Sequence, residues 1–193
     1  MPDHYVTIRW VWTEEAGNSS ESRSIKARST GKEVLDHGEA VVDISNVAQG
    51  YVALRYKGSA KKISVEVIGK NNKVYKYFIE QTKEPTYFPL TSGNGTYQIS
   101  VYENVQDDEY SILMMDSFEV KLKNKFLPFL YPNQYVEFTS KTKAVKEAKK
   151  LAKDSKDDLA IVKAVYNYVV KNVKYDDEKA ENVQSGYLPS VDE

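Results

Sequence analysis

The run Tyr87-Phe88-Pro89-Leu90-Thr91-Ser92-Gly93-Asn94-Gly95-Thr96-Tyr97-Gln98-Ile99-Ser100-Val101 reads as two β-strands around one turn. Tyr97, Ile99 and Val101 recur with the period of two that turns one face of a strand inward. Gly93-Asn94-Gly95 is the strongest turn signal in the chain. Its residues tolerate positive φ, which predicts a hairpin. A phosphate-cradling loop would need a third glycine and a following helix, and position 98 is Gln with strand beyond it.

The same grammar extends in both directions. Ala40 to Ile44 and Gly50 to Tyr56 precede a turn at Gly58-Ser59, and Ile63, Val65 and Val67 form an inward row. Asn71-Asn72 supplies a second turn before a return strand, Val74 to Ile79. Asp107-Asp108 leads into Tyr110 to Leu122, one long or bulged strand with Phe118, Val120 and Leu122 on one face. Roughly seven or eight short strands spaced in this way predict an immunoglobulin-like antiparallel β-sandwich over residues 39–123. Residues 1–38 read as an N-terminal strand, His4 to Thr13, followed by a polar linker. A poor strand around Arg23 to Ser29 is the alternative there.

Composition narrows the chemistry. The 193 residues contain 27 Lys plus Arg against 28 Asp plus Glu, so no net field attracts nucleic acid. There is no cysteine and there are 2 histidines, His4 and His37, which removes thiolate chemistry and leaves little for an imidazole-based site. No apolar run is long enough to span a membrane as a helix. The fifteen tyrosines could line a sugar-binding sheet face, although tyrosine packs routinely on sheets. Asn18-Ser19-Ser20 and Asn94-Gly95-Thr96 match the glycosylation pattern.

Residues 124–139 cluster Phe126, Leu127, Phe129, Leu130, Tyr131, Tyr135 and Phe138 around Pro128 and Pro132, the mark of a packed connector. Residues 140–193 are helical. Ser140 opens a first helix to Lys153, with Ala144, Val145, Ala148, Leu151 and Ala152 on one face. Lys141, Lys143, Lys146, Lys149, Lys150 and Lys153 lie around the rest as a solubilising surface. Ser155 and Asp158 stand at capping-box spacing before a second helix that ends near Lys174. That helix is apolar enough to predict burial on more than one side. Asp176-Asp177-Glu178 lacks the alternating donors and central glycine of a calcium loop and reads as a solvated helix cap.

The run Asp158-Leu159-Ala160-Ile161-Val162-Lys163-Ala164-Val165-Tyr166-Asn167-Tyr168-Val169-Val170-Lys171-Asn172-Val173-Lys174-Tyr175-Asp176 resembles the helix that opens the catalytic core of transglutaminase-like proteins. Stretches around Asp43-Ile44-Ser45-Asn46, Phe88-Pro89-Leu90-Thr91, Phe129-Leu130-Tyr131-Pro132 and Ser185-Gly186-Tyr187-Leu188-Pro189 resemble bacterial members in which a sandwich precedes that core. The resemblance implies a nucleophilic cysteine, then a histidine and an aspartate, all beyond residue 193. No catalytic, cofactor or metal residue is therefore assigned. Tyr175 and Asp176 match a family signature whose implied role is to end and anchor the helix.

The function expected from the resemblance is that of a non-catalytic N-terminal region of a bacterial transglutaminase-like protein, partnered by the missing catalytic half. Its expected place is the cell surface, the leader being absent from this chain. One alternative is a free-standing surface module for glycan or protein. Another is a pseudoenzyme interface, dimerising through Tyr166, Val169, Val170 and Val173.

Overall fold

The computed structural model describes residues 26–80, 83–183 and 187–192. The expected strand His4 to Thr13 lies outside them. The chain divides into two compact units, whose described parts are residues 26–80 with 83–134 and residues 135–183 with 187–192.

The first unit contains β1 (Val34–His37), β2 (Ala40–Asp43), β3 (Tyr51–Tyr56), β4 (Lys62–Ile68), β5 (Val74–Glu80), β6 (Thr86–Pro89), β7 (Gly95–Gln106) and β8 (Glu109–Val120). They form two four-stranded antiparallel sheets, ordered β1-β2-β3-β6 and β5-β4-β7-β8. The chain changes sheet between β3 and β4, β5 and β6, and β6 and β7, as an immunoglobulin-like sandwich requires. Alternation explains the layers. Val42, Val52, Leu54 and Phe88 from one sheet share a buried cluster with Ile63, Val65, Val67, Tyr97, Ile99 and Val101 from the other. Each large side chain so buried contributes roughly 1.5–3 kcal/mol.

The Gly93-Asn94-Gly95 turn is not a hairpin. It carries the chain from β6 in one sheet to β7 in the other, with φ of 84° at Gly93 and 139° at Gly95. The physical reason lies beside the turn. Leu90 and the Tyr97 ring are both fully buried, and the Tyr97 hydroxyl donates to the Gly93 carbonyl at 3.0 Å. This is the tyrosine corner of immunoglobulin-like sandwiches, which ties the start of a strand to the preceding bend. Asn71 and Asn72 do adopt positive φ, 64° and 57°, and β8 is bulged against β7, both as expected.

The linker expected over residues 14–38 is also corrected. Val34–His37 is a strand paired with β2 across a turn at Gly38, so the sandwich begins before residue 39. Residues 26–29 form no strand. They are instead bonded to the first sheet: the Tyr51 hydroxyl accepts from the Arg28 amide at 3.1 Å and donates to its carbonyl at 3.2 Å. Four residues sufficed for β1 because pairing with β2, not hydrophobicity, defines it.

In the connector, Leu127–Phe129 forms a 3-10 turn with Pro128 buried against Gly50, so its prolines do not exclude helical turns altogether. A Cβ at Gly50 would lie 2.6 Å from the Pro128 ring, and φ there is 92°, so glycine is required twice over.

The second unit holds α1 (Lys143–Lys153), α2 (Asp158–Asn172) and α3 (Asp177–Asn182). α1 starts after Thr142 rather than at Ser140. α2 is capped by Asp157, whose carboxylate accepts from the Ala160 amide at 2.8 Å, and not by Ser155. Ser155 donates instead to Leu151 at the end of α1, at 3.2 Å.

Replacing Tyr97 by Phe keeps the ring and removes the hydrogen bond to the Gly93 carbonyl. We expect a loss of about 1–2 kcal/mol in urea denaturation, with no change in the native spectrum. An unchanged midpoint would remove the corner from the stabilising features.

Candidate interaction face

The ionisable groups come first, because catalysis would need them. His37 places Nε2 2.6 Å from Asp116 Oδ2, linking β1 to β8 at the partly exposed side of the sandwich. Among the described residues no group of three His, Cys, Asp or Glu could hold a metal. His4 lies outside them.

Asp43, at the end of β2, sits in a shallow cavity of about 260 Å³ beside Ser29, Gly31 and Arg55. Its Oδ2 accepts from the Ser29 hydroxyl at 2.8 Å and the Gly31 amide at 2.7 Å, and Oδ1 from the Ser45 amide at 2.9 Å. Burial alone would raise its pKa. The bonds from Ser45, Gly31 and Ser29 outweigh it and hold the carboxyl at about 2. A carboxylate this saturated and acidic is a poor base. Its role is to clip residues 29–31 to the sheet. The Asp43-to-Ser45 bond is an Asx turn, and Asp followed two residues on by Ser was the available sequence signal.

The tyrosines of the outer face of the first sheet are occupied with one another. Tyr51 meets Tyr87 edge-on at 5.8 Å and Tyr131 at 4.6 Å between centroids. Trp10 and Trp12 lie outside the described residues. On α1, Lys143, Lys146, Lys149, Lys150 and Lys153 are exposed, and Lys150 pairs with Glu147 at 2.8 Å, in keeping with a solubilising surface.

α2 is where the molecule departs from an ordinary surface. Ile161 and Val165 are buried, and α1 lies against this helix. Leu159, Val162, Tyr166, Val170 and Val173 are exposed, from 54 % at Val173 to 77 % at Leu159. At 100° per residue the four within the helix, Leu159, Val162, Tyr166 and Val170, fall within an arc of about 80°, and Val173 is the C-cap that follows. Burial on more than one side, expected from composition, is therefore corrected: one side is packed and the opposite side is in water. The reason is that a 15-residue helix with two apolar faces has only a small unit to pack against.

The residues singled out from sequence divide accordingly. Tyr166, Val170 and Val173 share the exposed stripe. Val169 is half-buried and lies toward the packed side. Leu159 and Val162 also belong to the stripe; their sequence spacing marks them as apolar helix positions, and only their place in the exposed face was not anticipated. Tyr175 is exposed, and Asp176 does not end α2. Its Oδ1 accepts from the Lys179 amide at 2.8 Å and so starts α3. Asp177 and Glu178 occupy the first turn of α3, so the acidic run is a helix cap, as read.

No protein-family model matches the chain, and no curated protein does. Among solved structures, the fn3 domain of the human collagen alpha-1(XX) chain is similar at 14 % identity and a TM-score of 0.36, covering 50 % of this chain and 92 % of that one. The sandwich is defined by its own strand order and shared core. Among the described residues no helix is long and apolar enough to cross a membrane.

Because Asp43 is about 2 folded and near 3.8 unfolded, its contribution is present above pH 4 and lost as pH falls from about 4 to 2. We expect the wild type to lose about 2 kcal/mol more than Asp43→Asn across that window, measured by denaturation at each pH. In the variant, amide exchange at Gly31 should speed up at neutral pH. Equal slopes for the two proteins would refute the clip.

Proposed function

We propose that this chain is a non-catalytic protein-docking module: a β-sandwich that carries a helical unit and presents the outer face of α2 to another protein surface. The observation that carries it is the exposed stripe from Leu159 to Val173. Four large side chains aligned on one helix face, with Val173 at its C-cap, each worth roughly 1.5–3 kcal/mol if fully buried, are a surface that gains from being covered. The side chains nearest to chemistry, Asp43, His37 and Asp176, are each engaged in a structural bond.

A second reading is supported by the same face. If residues 158–176 are the opening helix of a transglutaminase-like core, as their sequence resembles, the covering surface is the catalytic half of a longer protein. The chain is then its accessory N-terminal region, acting at a bacterial cell surface. A glycan-binding sandwich has less support, since the Tyr51 ring is engaged edge-on by Tyr87 and at a tilt by Tyr131.

The test places a photo-crosslinking residue at Val162 or Val170, with Lys146 as the exposed polar control. It is read in the purified chain at increasing concentration and in the source cell. Protein adducts from positions 162 and 170, and not from 146, are expected. Their absence in both settings would end the docking reading. Adducts to a second copy favour self-assembly, and adducts to a downstream polypeptide of the same protein favour the accessory reading.

A further inference from the structure

We infer that the outer face of the first sheet around Asp43 and Tyr51 is a receptor for an extended peptide main chain, filled here by the chain's own residues 28–31 and open to a competing segment of another protein. This goes beyond the docking reading of α2 and does not rest on it. The hydrogen bonds are the first argument. Tyr51, Asn46 and Asp43 hold residues 28–31 through five of them, and the sheet's side of every bond is a side-chain atom. Those side chains are saturated, but by one short strap. Four of the five bonds go to its main chain. The Arg28 amide and carbonyl both meet the Tyr51 hydroxyl, Asn46 Nδ2 donates to the same carbonyl at 2.9 Å, and the Gly31 amide donates to Asp43. The fifth comes from the Ser29 hydroxyl. Gly31 has φ of 64°, while a Cβ there would meet nothing within 4 Å, so glycine is demanded by the backbone and not by space. The partner that fits is therefore an extended segment with Ser or Thr two residues before Gly, its other side chains unread.

The second argument is how lightly the strap is held. Arg28, Ser29, Thr30 and Gly31 are all exposed and bury little apolar surface. Among the described residues no backbone-to-backbone bond joins them to the sheet, and the ladder of β1 with β2 starts only at Val34. The strap can lift as a local unit with every ladder intact. It also leaves the face part-filled. The cavity of about 260 Å³ beside it is floored by Val34, Val41 and Ala53, with Arg55 at its side and Thr30 in its lining. A competing segment with a larger apolar side chain in the place of Thr30 gains a contact that the strap does not make. Main-chain bonds for affinity and a side-chain pocket for selectivity are the usual division of labour in recognition of extended peptides.

The test uses the full chain and, as probe, a labelled synthetic peptide of residues 26–33, followed by fluorescence anisotropy. Ser29→Ala with Gly31→Val in the chain damages the strap and leaves Asp43, Asn46 and Tyr51 in place. That double variant should bind the peptide saturably and at least about tenfold more tightly than the wild type, whose own strap competes. Adding Tyr51→Phe to it should weaken binding about fivefold, and a peptide carrying Gly31→Val should fail to bind. A peptide carrying Thr30→Leu should bind more tightly than the original. Native-state hydrogen exchange of the wild type gives a readout that needs no variant: the Gly31 amide should exchange at least about a hundredfold faster than the amides of Val42 and Leu54, through local opening. No saturable binding to a double variant that keeps the native spectrum overturns the inference, and so does a Gly31 amide that exchanges only with global unfolding. Neither outcome bears on crosslinking from positions 162 and 170, so the reading of α2 stands or falls separately.

Discussion

Burial of the facing rows of β3, β4 and β7 between the two sheets is the constraint on which the rest of the first unit depends. Val52 and Leu54 on one side, and Ile63, Val65, Val67, Ile99 and Val101 on the other, exclude water from one another. Because side chains alternate along a strand, that commitment also decides which residues face outward. A one-residue slip would exchange Ile99 for Ser100 across the whole sheet. Ser100 is itself buried, on the other face of β7, so both faces of this strand are specified.

Polar groups then fasten the periphery to the core, and they do so as saturated clips. Tyr97 ties a bend to a strand start, and the Tyr51 hydroxyl both accepts from and donates to Arg28. Asp43 accepts three bonds from residues 29, 31 and 45. A buried polar atom left unpaired costs roughly 1–3 kcal/mol, so each clip is worth more when complete than its net bond strength implies. The same saturation removes these groups from consideration as acids, bases or ligands. The exposed apolar stripe lies in the second unit, on α2.

Strand existence was legible along most of the sandwich because inward residues at period two and turn residues between them are local signals. β1 was not, since Val34-Leu35-Asp36-His37 has no alternation of its own and owes its conformation to the ladder with β2. Helix boundaries moved by two or three residues for a similar reason. Ser140 and Ser155 resemble caps in sequence, but the amides at the helix starts are reached by Asp157 and, for α3, by Asp176. The residues of the stripe on α2, Leu159 and Val162 included, were legible as apolar at helical spacing, whereas their exposure was not.

Composition and periodicity alone determined that the chain lacks thiol chemistry, builds two layers of short strands and ends in helices, because cysteine count and hydrophobic period need no knowledge of neighbours. Which strands pair, where the chain changes sheet at Gly93-Asn94-Gly95, and which face of α2 stays in water were decided only by tertiary structure. Those are properties of contacts between residues distant in sequence, and a local pattern carries the face a residue occupies without naming what will lie against it.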